Sequence, residues 1–183
     1  MGRSGHEGGH GRARWTCALL AAASLLAAGL LAAGPVRATD AAADGKPLLT
    51  IAGGIQQRNG PDGLSFDLAA LQKLPQHSFS TRTPWYAKPR KFTGVRLRDL
   101  LTAAGAHGQV VRAVALNDYK VDIPIEDAAA SDVMVAWLLD DKPMPVRDKG
   151  PLVVIYPFDD QPELRTAVHY GRAVWQLRLL EIR

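Results

Sequence analysis

Between Arg82 and Arg98 the chain places six bases, Arg82, Lys88, Arg90, Lys91, Arg96 and Arg98, with no acid among them. A concentration of donors like this is what a cradle for a phosphate or other small anion needs, because each guanidinium can grip two oxygens at once. The same run also reads as a solvated basic edge whose stems lie over apolar surface, with Asp99 at its end as a local partner. Overlapping its start, Thr81, Arg82, Thr83, Pro84, Trp85 and Tyr86 combine hydroxyls, a cation and two aromatics. They would either line a small pocket or plug it. In Tyr170-Gly171-Arg172 the glycine allows close backbone approach and the arginine suits an anion.

Other chemistry is poorly supplied. His77, His107 and His169 have no metal-ligand spacing. Asp159, Asp160 and Glu163 suit the positive end of a helix better than a calcium site. No nucleophile-base arrangement, phosphate loop or dinucleotide fingerprint occurs. The only cysteine is Cys17.

These residues need elements to position them. Residues 48–52 read as a strand ended by Gly53-Gly54. Residues 65–74 carry Leu68, Leu71 and Leu74 at helical spacing and stop at Pro75. Residues 77–82 alternate as a strand, and residues 97–104 form a short amphipathic helix closed by Gly105. A hairpin follows: strand 110–116, the turn residues Asn117-Asp118, and a return strand 119–123. Pro124 opens a helical turn through Ala130. Strands at 133–139, 152–156 and 174–182 complete the reading, with Asp140-Asp141 as a further turn. Many short strands with small helices between them indicate an α+β fold with a mixed sheet.

The N-terminal segment has a different character. Arg3, Arg12 and Arg14 precede an apolar, uncharged stretch from Trp15 to about Ala33, and Val36 and Ala38 fit a small-residue cleavage rule. This order predicts a secretory signal over residues 1–38, a flexible lead-in over 39–46 and one domain over 47–183. The alternative is an uncleaved membrane anchor. The predicted location is periplasmic, with no membrane span after cleavage. Arg12 and Arg14 are separated by Ala13, so the twin-arginine route for folded cargo is not signalled and the chain is expected to cross unfolded. Removing the four arginines and one glutamate of residues 1–38 from 22 bases and 18 acids leaves 18 and 17. A near-neutral domain gives no reason to expect nucleic acid as a partner.

The pieces, in order, resemble the molybdopterin-binding domain of the sulfite oxidase family, which includes periplasmic methionine sulfoxide reductases. The matching stretches are 49–53 (LTIAG), 66–75 (FDLAALQKLP), 92–101 (FTGVRLRDLL), 115–124 (ALNDYKVDIP), 133–145, 150–157 (GPLVVIYP) and 170–177 (YGRAVWQL). The resemblance implies a sulfite-oxidase-type fold and a cofactor region made by Thr81, Arg82, Asn117, Tyr119, Tyr170, Gly171 and Arg172. It also implies that the family's metal-ligating cysteine, followed four residues on by a tryptophan, falls on Thr81 and Trp85. A neutral hydroxyl does not replace a soft thiolate. In such enzymes the cofactor is inserted in the cytoplasm, so a chain exported unfolded would leave it behind. No cofactor is therefore expected, with molybdopterin the one the resemblance leaves open. The leading expectation is a non-catalytic binding or sensory module for a small anion or an envelope protein. Its rivals are an oxidoreductase with atypical metal ligation and a structural or assembly partner.

Overall fold

The computed structural model describes residues 45–183. The expected export segment and residues 39–44 of the expected lead-in lie outside the described residues. Gly45 and Lys46 are exposed and carry no regular structure.

Alternating buried and part-exposed residues make β1 (Leu49–Gly53), which pairs antiparallel with β2 (Leu64–Phe66). Helix α1 (Leu68–Lys73) follows, started by the Asp67 carboxylate, which accepts from the Ala70 N–H at 2.7 Å. The helix expected to begin at residue 65 therefore begins three residues later, because Ser65 and Phe66 hydrogen-bond to β1. Then come β3 (Gln76–Thr83) and the long β4 (Tyr86–Arg96), joined by the two-residue turn Pro84-Trp85. Helix α2 (Leu97–Ala104) buries Leu97, Leu100, Leu101 and Ala104, one face at helical spacing. Gly105 ends it in the left-handed conformation at φ 58°, its N–H reaching the Leu101 and Thr102 carbonyls.

β5 (Val110–Ala115) and β6 (Lys120–Pro124) form the expected hairpin, with Asp118 at φ 63° and Asn117 Oδ1 accepting from the Tyr119 N–H. α3 (Ile125–Ala130), β7 (Met134–Leu139), β8 (Lys142–Pro143), β9 (Val153–Ile155), α4 (Ala167–Arg172) and β10 (Leu177–Ile182) complete the order. Asp140 and Asp141 turn the chain between β7 and β8 with positive φ at both, as a tight hairpin demands.

Two five-stranded sheets result. One runs β2-β1-β10-β5-β6 and is mixed, because β1 and β10 are parallel while its other pairs are antiparallel. The other runs β3-β4-β7-β8, with β9 also paired to β7. Leu49, Ile51, Val111 and Leu180 from the first sheet, Phe92, Val95, Met134 and Val154 from the second, and Leu97 and Leu100 from α2 belong to one buried cluster. Each such side chain contributes about 1.5–3 kcal/mol on burial. The described residues form a single compact unit, and none of their helices is long and apolar enough to cross a membrane.

The closing strand starts at Leu177 rather than Val174, because Trp175 bridges to Val153 and Gln176 takes φ 54°. Four elements were not expected: β2, β4, β8 and α4. β4 carries most of the basic run and contains Pro89, and it pairs with β3 on one side and, far along the chain, with β7 on the other.

Candidate functional site

Thr81 ends the regular part of β3 and is fully buried. Its hydroxyl accepts from the Asp159 N–H at 3.0 Å and donates to the Arg82 carbonyl at 3.4 Å. The Asp159 carboxylate accepts in turn from the Arg82 N–H at 3.0 Å and from the Arg165 guanidinium at 2.6 Å. Arg165 also donates to the Phe158 carbonyl at 2.7 Å. The Arg82 guanidinium is exposed and lies 3.8 Å from the same Asp159 carboxylate. Asp159 therefore does not cap a helix, as its acidic neighbourhood suggested. It ties β3 to the segment after β9.

An aromatic cluster flanks this tie. Trp85 meets Trp175 edge-to-face at 5.1 Å and Tyr170 at 6.1 Å, while Tyr170 packs on Phe158 at 4.7 Å. Tyr86 meets Trp175 at 6.2 Å. Arg90 stands 4.7 Å over the Tyr86 ring, and the Lys149 ammonium lies 5.6 Å from both Tyr86 and Trp175. Burial raises the Tyr86 pKa, against the pull of Arg90. Thr83 Oγ1 and Trp175 Nε1 are buried with no hydrogen-bond partner among the described residues, the kind of orphaned group that calls for a ligand or water.

α4 and the β5–β6 turn hold the remaining expected residues. The Tyr119 hydroxyl donates to the Gly171 carbonyl at 3.0 Å, fixing the Asn117–Tyr119 turn against the helix. Arg172 donates to Asp127 at 2.9 Å, and the Tyr156 hydroxyl donates to the same carboxylate oxygen at 2.8 Å. Burial first, and the Asp127 charge second, push the Tyr156 pKa well up, so it acts as a fixed donor. The structure thus links Thr81, Arg82, Asn117, Tyr119, Tyr170, Gly171 and Arg172 through Asp159, Phe158 and α4. Asn117 takes part only as the turn's acceptor, with its side chain on the Tyr119 N–H.

The basic run does not form a free cradle. Arg90 pairs with Asp140, Lys91 with Asp141, and Arg96 and Arg98 share Asp132. Asp132 is therefore the local acid for Arg98, not the neighbouring Asp99. Of the described histidines, His77 accepts from Arg96 at 2.9 Å and His169 packs 5.5 Å from Tyr156. No group of three His, Cys, Asp or Glu among the described residues could hold a metal ion.

Asp127, Asp159, Trp175, Arg165 and Lys149 were not anticipated as site residues. Only Asp159 carried a signal, as part of an acidic cluster. The others gain their meaning from contacts across the fold.

Residues 49–158 match the family model of the oxidoreductase molybdopterin binding domain. Tyr170, Gly171 and Arg172 lie beyond that match. No curated protein matches the chain in sequence. Among solved structures, the chain is similar to the sulfane dehydrogenase SoxCD from Paracoccus pantotrophus, with a TM-score of 0.55 at 19% identity. The likeness covers 73% of this chain and 37% of that one, so this chain spans well under half of that protein's length. At that identity the likeness concerns the fold.

Proposed function

Because the chain belongs to the oxidoreductase molybdopterin-binding domain family, we propose that it is a member that binds without catalysing, an exported module that recognises a small anion in the cell envelope. The carrying observation is the state of Thr81. A neutral hydroxyl is a poor ligand for a soft metal, and this one is fully buried between the Asp159 N–H and the Arg82 carbonyl. The residues around it do not fit a metal held by the protein. The described chain offers no thiolate to take its place, since Cys17 is the only cysteine. No reaction step is assigned to the site.

Binding is supported by the orphaned Trp175 Nε1 and Thr83 Oγ1, two donors at the aromatic cluster with no partner among the described residues. Lys149, whose ammonium lies 5.6 Å from the Trp175 ring, supplies positive charge suited to an anion. Export is supported by the order of Arg3, Arg12 and Arg14, the apolar stretch and the small residues at Val36 and Ala38.

The deciding experiment is metal analysis and mass spectrometry on protein purified from its own envelope fraction. Processed protein with only trace molybdenum and no pterin fluorescence after acid denaturation is the expected result. Stoichiometric molybdenum, or a chain found only in the cytoplasm, overturns the reading.

A further inference from the structure

β3 is the outermost strand of its sheet, paired on one side with β4 and on the other with no strand among the described residues. Its hydrogen-bonding parity is fixed at two points. Thr83 and Tyr86 close a two-residue turn, which makes them a hydrogen-bonded pair facing inward. The Arg82 N–H points the other way, to Asp159. Gln76, Ser78 and Ser80 therefore direct their backbone N–H and carbonyl groups outward with Arg82. Among these backbone groups, only those of Arg82 have partners in the described residues, the N–H on the Asp159 carboxylate and the carbonyl on the Thr81 hydroxyl. Ser78 and Ser80 are exposed.

An open edge of this kind templates another strand, and natural edges are blunted with lysine, proline or a bulge. Residues 76–81 contain no lysine, proline or carboxylate, and the register shift of the β3–β4 pair falls beyond them, between Thr81 and Thr83. Its central triplet, Ser78-Phe79-Ser80, is symmetric about Phe79. If a second copy lies antiparallel with Phe79 facing Phe79, Ser78 of each copy falls opposite Ser80 of the other. Those are the outward-facing residues, so both become hydrogen-bonded pairs, and the two phenylalanines form the close non-hydrogen-bonded pair between them. Arg82 would face Gln76 of the second copy, so no like charges meet. Asp159 ends the ladder at one side and Pro75 at the other.

We infer that the chain self-associates through β3, edge to edge and antiparallel about Phe79, joining two sheets into one. The ladder is short and buries little surface, so the association is weak and reversible.

The test is sedimentation equilibrium of the protein as purified from its producing cell, up to about 1 mM, near the weak limit of specific association. A monomer-dimer equilibrium is expected. Ser80→Pro removes an outward N–H that the β3–β4 ladder does not use, and it should weaken the dimer at least tenfold. Should that variant misfold by circular dichroism, the double change Ser78→Lys with Ser80→Lys puts lysines opposite each other and should have the same effect. Ser78→Lys with Ser80→Glu makes the facing pairs complementary and should restore association. The inference is overturned by a wild type that stays monomeric throughout, which includes an edge covered by the chain's own N-terminal segment. It is also overturned by a dimer that survives the double lysine change, or by a lysine-glutamate variant no tighter than the double lysine.

Discussion

The Thr81 hydroxyl and the Asp159 backbone N–H, 78 positions apart in sequence, are joined by a 3.0 Å hydrogen bond that leaves the threonine fully buried. The bond gives Thr81 a structural task at the position where the family resemblance puts a metal ligand. Thr81→Val keeps the shape and leaves the Asp159 N–H unpaired, so it should destabilise the fold by about 1–3 kcal/mol. Thr81→Ser keeps the bond and loses one methyl, a cost of about 1 kcal/mol. Urea denaturation of both variants distinguishes a hydroxyl that holds the segment from one that merely fills space.

A second tie is expected to be stronger. Asp127 takes hydrogen bonds from both Tyr156 and Arg172, and all three side chains are largely buried. Asp127→Asn leaves the Arg172 charge without its counter-ion, which should cost about 3 kcal/mol. Adding Arg172→Met to Asp127→Asn should return part of that loss, because the stranded charge is gone. A double-mutant cycle by denaturation measures the coupling.

His77 sets a pH dependence. Burial, then the Arg96 guanidinium, hold its pKa below the ordinary 6.5, although Asp132 works the other way. Arg96 donates to Nδ1, which keeps the ring neutral with its proton on Nε2, 3.7 Å from Asp132. As pH falls through about 6.5, the unfolded chain takes up a proton that the folded chain refuses. Stability should therefore decline from about pH 6.5 down to the lowered folded pKa, and His77→Gln should flatten that slope. The window is distinct from that of Asp122. Its pKa is lowered chiefly by the hydrogen bond from Arg112, so its contribution fades only near and below its ordinary 3.8.

The parts of the fold legible in the sequence are those whose cause is local. Asn117-Asp118 and Asp140-Asp141 mark hairpins because short polar side chains tolerate positive φ, and Gly105 closes α2 for the same reason. The α2 face was visible in Leu97, Leu100, Leu101 and Ala104. β4 escaped because its bases and Pro89 look like a loop until Asp140, Asp141 and Asp132 neutralise them from the β7 side. α4 escaped because Gly171 lies inside it, and its anchors, Tyr119 and Asp127, come from distant elements. Within the site, Thr81 could be singled out by resemblance, but nothing near it in sequence announces Asp159.

Two tryptophans in the aromatic cluster should behave differently. Trp85 is held by edge-to-face contacts with both Trp175 and Tyr170, so Trp85→Ala removes packing on two sides and should cost about 3 kcal/mol. Trp175→Phe keeps an aromatic ring in place and deletes an indole N–H that has no partner among the described residues. Removing an unsatisfied donor relieves a desolvation penalty, which offsets part of the lost volume. The net cost should therefore stay below about 1 kcal/mol in the ligand-free protein. Chemical denaturation of the two variants side by side checks this. Should Trp175→Phe prove as damaging as Trp85→Ala, the indole N–H already serves the fold, and it is not the free donor on which anion recognition at this cluster depends.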